Sequence, residues 1–242
     1  MLVLPRAVAF PDMVMGSMMV HPMRPCSLSG CLAPALRTGV LCLGVVAMLW
    51  VGSTLVLAQG RLTDVLVSVV NDKVVAVTGV GQSEIDLSVG ETVVSTKAQG
   101  LTALAITSTR LLGFSSQLRH WGEQTLEAEE HVIRSQVLRE FCVVATDRHL
   151  YGFQETLAHW AGESLGGSER VQEVRAYGHL ALAVTTERLV GFSALMSGFH
   201  TMPLQGDERV RGIEQTGDAF LVKTTRRTLM FRSRMSGWTE MS

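Results

Sequence analysis

Short apolar runs of five or six residues, set off by turn residues, return along this chain at a fixed step of 39 positions. Gly113-Phe114, Gly152-Phe153, Gly191-Phe192 and Met230-Phe231 form one column of that register, and Trp121, Trp160, Phe199 and Trp238 form a second. Further columns are Thr107, Thr146, Thr185 and Thr224; Leu87, Leu126, Leu165 and Leu204; and Val93, Val132, Val171 and Val210. Leu62-Thr63 answers Leu101-Thr102 one period later, so about four and two-thirds copies lie between Arg61 and Ser242. A step near 40 residues marks propeller blades and helical or β solenoids.

Each copy reads as four short strands. In the stretch from Val171 to Leu204, Val171–Ala176 alternates imperfectly and Tyr177-Gly178 turns the chain. Leu180–Thr185 is a nearly continuous apolar run, the pattern of a strand covered on both faces. Glu187-Arg188 marks the next turn, Leu189–Ser193 the third strand, and Phe199–Leu204 the fourth. Pro203 places that fourth strand at an edge, because proline cannot donate to a ladder. A helix-pair repeat would need a 3.6-residue apolar period over 12 or more residues. Only Gln117–Arg139 approaches one, and its counterpart one period on includes Ala161–Gly167, whose three glycines oppose a helix. The expected fold is therefore all-β: a β-propeller of about five four-stranded blades.

The blade pattern resembles β-propeller repeat proteins of the quinoprotein-like or outer-membrane-assembly kind. A turn leads into Arg-Leu-x-Gly-Phe and then an aromatic residue, as in Arg110–Phe114 with Trp121, His149–Phe153 with Trp160, and Arg188–Phe192 with Phe199. The Asp-x-x-Thr-Gly-Lys-like turn of those families is replaced by Ser-Ser-Gln-Leu-Arg-His and its counterparts. The resemblance implies an architecture over most of residues 61–242 and carries over no site.

Hydrophobic residues make up 47% of the chain, and one segment accounts for much of the excess. Gly39–Ala58 runs 20 residues without a charge, long enough to span a bilayer. It ends Val56-Leu57-Ala58 before Gln59, a small-residue pattern of the kind signal peptidase accepts. Two fates fit it: a cleaved signal peptide, or an anchor with Arg24 and Arg37 on the cytoplasmic side. Either one exports the repeats. The chain then divides into residues 1–58, an extension with the export or anchor segment at 39–58, and residues 59–242, the repeat domain. The first blade follows that segment directly and is left short of its innermost strand. The Met-rich start is compatible with initiation at Met23, and the lipobox-like Leu28–Cys31 precedes the apolar stretch instead of following it.

Beyond residue 58 the chain keeps 18 basic and 21 acidic residues, a formal charge of −3. That balance argues against a nucleic-acid partner, which would need a concentrated basic surface. Cys142 is the one thiol of that part and lies in an apolar strand, so neither a disulfide nor a zinc site is expected.

Two sets of charged residues recur. Glu91, Glu130, Glu169 and Glu208 precede the innermost strand of each blade, and Arg110, His149, Arg188 and Arg227 follow 19 residues later between strands two and three. Both connections emerge on one face, so the two rings adjoin, as an ion-pair ladder or as a face that docks a partner. The innermost strands point Lys97, Arg134, Glu173, Arg175 and Glu214 at a central channel, with Ser95, Gln136 and Gly212 between them. Glu173 and Glu214 are the only carboxylates there for an enzyme acting on a small molecule or glycan. Gly162-Glu163-Ser164-Leu165-Gly166 fits the nucleophile-elbow pattern, yet the glycines that follow oppose the helix an elbow requires. The expectation is an exported, non-catalytic binding or scaffold module of the cell envelope. It has a protein partner, no cofactor, no nucleic acid, and contact with the membrane if the first segment stays attached; the alternative is a hydrolase-like propeller enzyme.

Overall fold

The computed structural model describes residues 64–196 and 198–241. The apolar segment 39–58, the cleavage pattern before Gln59, Met23, Leu28–Cys31 and Leu62-Thr63 lie outside the described residues. Among the described residues no helix is long and apolar enough to cross a membrane.

The described chain is all-β and forms five antiparallel blades in sequence order. The first has three strands, β1 (Leu66–Val70), β2 (Lys73–Thr78) and β3 (Gly81–Asp86). The second comprises β4 (Val93–Gln99), β5 (Thr102–Thr107), β6 (Arg110–Ser115) and β7 (His120–Thr125). The third holds β8 (Val132–Val137), β9 (Phe141–Thr146), β10 (His149–Gln154) and β11 (His159–Ser164). β12 (Val171–Tyr177), β13 (Leu180–Thr185), β14 (Arg188–Ser193) and β15 (Gly198–Pro203) make the fourth, and β16 (Val210–Thr216), β17 (Ala219–Thr224), β18 (Thr228–Arg232) and β19 (Trp238–Met241) the fifth. Within every blade the strands lie side by side in chain order, the up-and-down blade of a propeller.

Among the described residues the first blade has no innermost strand, and the aromatic register shows which three strands are present. Trp160 Nε1–H donates to the Gly122 carbonyl and Trp238 Nε1–H to the His200 carbonyl, each on the outer strand of the blade before. Trp121 makes the same bond to Ser83, which fixes β3 as an outer strand and β1 as the second strand of its blade.

Burial follows from stacking. All six residues of β5, of β9 and of β13 are buried, because a neighbouring blade covers each face. β2 buries only Val74 and Ala76, and β17 leaves Lys223 exposed, since each of these blades has a single neighbour among the described residues. At the three interfaces between the four complete blades a Phe ring of one blade lies on a glycine of the blade before: Phe153 on Gly113, Phe192 on Gly152 and Phe231 on Gly191. A Cβ at any of the three glycines would have three ring carbons within 2.7 Å. The fifth blade carries Met230 at that position and ends the glycine series. Each Phe also pairs with the outer-strand aromatic of its own blade, with ring centroids 5.0–5.2 Å apart for Phe114–Trp121, Phe153–Trp160, Phe192–Phe199 and Phe231–Trp238. The first three pairs are tilted and the last is stacked, and aromatic pairs of either kind add about 0.5–1.5 kcal/mol beyond their buried area.

Candidate functional site

Each recurring acid meets its recurring base at the junction between two blades. Glu91, Glu130, Glu169 and Glu208 stand in the linkers that enter the second to fifth blades, and all four side chains are buried. Arg110 Nε donates to Glu91 Oε1 at 2.8 Å, Arg188 Nε to Glu169 Oε1 at 2.9 Å and Arg227 Nε to Glu208 Oε1 at 3.0 Å. His149 takes the same place in the third blade, with Nδ1 3.0 Å from Glu130 Oε1. The other carboxylate oxygen accepts a backbone N–H three residues upstream, from Ser88, Glu127, Gly166 and Gln205, at 2.7–2.9 Å. The threonine column completes the motif. Each threonine Oγ1 accepts the backbone N–H of the basic residue, and Thr146 and Thr224 donate to their glutamates at 2.5 and 2.6 Å.

The guanidinium reaches further. Arg110 Nη2 donates to the Asp86 carbonyl, Arg188 Nη2 to Ser164 and Arg227 Nη2 to Pro203, each at the end of the outer strand of the preceding blade. One arginine thus joins a turn, a linker and a neighbouring blade. Burial alone would raise the carboxyls of Glu91 and Glu208, but the Arg, Thr and backbone N–H bonds outweigh it and hold both at about 2. Glu169 is lowered by the same balance, and Glu130 by its Thr146, Glu127 N–H and His149 contacts. His149 is too short to reach the preceding blade, and there Gln124 Nε2 donates to the Thr125 carbonyl instead. The structure brings the eight residues of the expected rings together as four staples whose carboxylates face inward.

The channel set lies on the innermost strands, and it forms a second ladder. Lys97 Nζ donates to the Ser135 carbonyl at 3.0 Å, Gln136 Nε2 to Val174 at 3.0 Å and Arg175 Nη1 to Ile213 at 3.2 Å, each one blade forward. The fourth residue of that column is Glu214, which cannot donate and pairs with Lys223 at 2.6 Å. Glu173 pairs with Arg175 at 2.6 Å. Arg134 is exposed and has no ion-pair partner among the described residues. On the opposite edge Ser115 Oγ donates to Glu155 Oε1, Gln154 Nε2 to the Ala194 carbonyl and Ser193 Oγ to the Ser233 carbonyl. Glu155 is fully buried, and desolvation pushes its carboxyl above the ordinary range.

The remaining motifs go into the frame. Ser164 closes β11, an outer strand opposite His149, and its carbonyl accepts from Arg188. It is the last residue before the link to the fourth blade, with strand on one side and a turn-containing, non-helical connection on the other. Cys142 is buried on β9, and desolvation pushes its thiol up. Among the described residues no three His, Cys, Asp or Glu side chains gather as a metal site.

No protein-family profile and no curated protein matches the chain. Similar solved structures include HIRA(644-1017), at 14% identity over 69% of this chain and 51% of that one, with a TM-score of 0.36. Prp20p from Saccharomyces cerevisiae is 9% identical over 66% and 52%, with a TM-score of 0.35. The N-terminal domain of Nup159 is 9% identical over 73% and 57%, with a TM-score of 0.33. The chain spans about half the length of the solved structures it matches.

Proposed function

We propose that this chain is a non-catalytic β-propeller binding module, a rigid scaffold that holds a protein partner on its inner strands. The observation that carries the reading is where the polar groups go. The recurring carboxylates and their bases are tied into inter-blade staples, and Glu173 and Glu214 are each paired with a cation on their own blade. Arg134 and Arg211 stay exposed on the inner strands, outside those pairings. A site built this way suits recognition through charge and shape. It does not suit the paired carboxylates of a hydrolase, one protonated and one free.

The place of action in this reading is the cell envelope, with the repeats on the outer side of the membrane. Its support is the uncharged run Gly39–Ala58 and the arginine before it. Within propellers, the Arg-Leu-x-Gly-Phe and aromatic spacing makes a quinoprotein-like or outer-membrane-assembly-like blade the kind we favour.

Affinity capture of the tagged full chain from envelope fractions, compared with a variant carrying Arg134→Gln and Arg211→Gln, tests the proposal. A protein recovered by the parent chain and lost by the variant is expected. Turnover of a glycan or small ester by the purified chain, abolished in Glu173→Gln, would replace the proposal with an enzyme.

A further inference from the structure

All four complete blades carry the same irregularity on their innermost strand. The pairing register slips between Val93 and Ser95, Val132 and Arg134, Val171 and Glu173, and Val210 and Gly212. Each slip is a bulge holding one extra residue: Val94, Ile133, Gln172 and Arg211. A bulge frees its extra residue from the ladder and re-aims it, and proteins use this next to binding sites. Here all four side chains are exposed, Val94 at 69% and Ile133 at 48%.

The frame repeats with little change from blade to blade, but this column does not. It runs from apolar in the second and third blades, through Gln172, to a cation in the fifth. Two cavities lie along this column. One, of about 380 Å³, sets Val94, Val132 and Ile133 beside Lys97 and Arg134. The next, of about 470 Å³, draws Arg134, Arg175 and Arg211 from three successive blades, with Glu173 as its single acid. Arg134 lines both, so the exposed apolar bulge residues Val94 and Ile133 adjoin a continuous run of cations. The larger cavity carries a net formal charge of +2, in a region beyond residue 58 that totals −3.

We propose that the bulged inner strands bind an extended peptide segment of a partner protein, with an apolar side chain followed by carboxylates. This inference rests on the binding-module reading and names the chemistry of its partner. The apolar side chain seats against Val94 and Ile133, and the carboxylates meet Arg134 and Arg211. Packed sheets stand about 10 Å apart and an extended chain advances about 3.3 Å per residue, so about three residues span one blade. The motif is then an apolar residue with an acid roughly three to six positions away. A single-stranded nucleic acid fits less well. Its bases stack on successive aromatic rings, whereas Trp121, Trp160 and Trp238 are committed to the interfaces between blades and Tyr177 is the one aromatic on the four described inner strands.

The test is selection of a random 12-residue peptide display library on the purified full chain, followed by fluorescence anisotropy with the enriched peptides. Enrichment of the apolar-then-acidic motif is expected. Binding should weaken about tenfold in Arg134→Gln plus Arg211→Gln and in Val94→Ser plus Ile133→Ser, and the charged part of it should fall with salt. All four positions are exposed, and unchanged thermal melts confirm that the variants fold. Enrichment of basic or featureless peptides, no enrichment, or equal binding to parent and variants would overturn the inference. A partner protein captured by the parent chain and lost in Arg134→Gln plus Arg211→Gln, when no apolar-then-acidic peptide is enriched, would also overturn it, while leaving the binding-module reading in place.

Discussion

Gly152→Ala is the sharpest perturbation of the frame. It adds one methyl group at a site where three carbons of the Phe192 ring lie within 2.7 Å of the new atom. Phe192 is only 1% exposed and packs against Phe199 on its outer side and Phe141 across the interface, and the cavity it lines there, of about 10 Å³, is too small to take the ring. Overpacking of this kind costs about 1–3 kcal/mol. The loss of glycine's freedom in the unfolded chain returns about 0.4–1 kcal/mol. The net is about 1–2 kcal/mol, or roughly 2–8 °C in Tm for a domain of this size. Gly212→Ala is the control: it also sits in a strand, yet nothing lies within 4 Å of its added Cβ. Thermal melts by circular dichroism should separate the two, with Gly212→Ala at or slightly above the parent. Combining Gly152→Ala with Phe192→Leu should cost less than the two single changes added together, because the smaller side chain makes room. A Gly152→Ala protein melting within a degree of the parent would refute the ring-on-glycine account of blade packing.

Arg188→Gln leaves Glu169 buried without its cation and frees the Ser164 carbonyl, so it should destabilise by about 3 kcal/mol in urea melts; an unchanged midpoint would show that the staples are ornamental. Glu91 and Glu208 have carboxyls held at about 2, below their usual 4.5, so their contribution is present above pH 4.5 and lost as pH falls toward 2. Urea midpoints measured from pH 6 to pH 2.5 should fall through that window, and Glu91→Gln plus Glu208→Gln should flatten the fall. Glu155 is the opposite case: its raised carboxyl favours the protonated form in the fold, so its cost grows as pH rises above the ordinary glutamate range. Glu155→Gln keeps an oxygen for Ser115 and the Gln117 N–H, and should raise Tm at pH 7 with little effect at pH 4.

The 39-residue step carried most of the architecture because packing between blades demands the same shapes at each junction. The buried second strand of each blade, the edge strand with Pro203 and the glutamate–arginine pairs 19 residues apart all follow from that demand. Ring-on-glycine packing was half visible: the sequence shows a recurring glycine before the phenylalanine, but only the structure identifies what lies on it, the next blade's phenylalanine. The bulges left no trace in the sequence, since an extra residue present in every copy keeps the 39-residue register intact. Only strand pairing shows that Val94, Ile133, Gln172 and Arg211 stand outside the ladder. Arg211 was therefore absent from the expected channel set, which followed strict alternation. Glu155 was missed for a related reason: its column holds Ser116, Ala194 and Ser233, and a single odd member of a variable column gives no signal.

Hydrogen–deuterium exchange of the full chain, with and without a peptide selected on it, tests most directly the claim that binding belongs to the inner strands. Protection is predicted in 93–99, 132–137, 171–177 and 210–216, with the outer strands β7, β11, β15 and β19 unchanged. Protection confined to the outer strands or to the Glu–Arg junctions would contradict the claim.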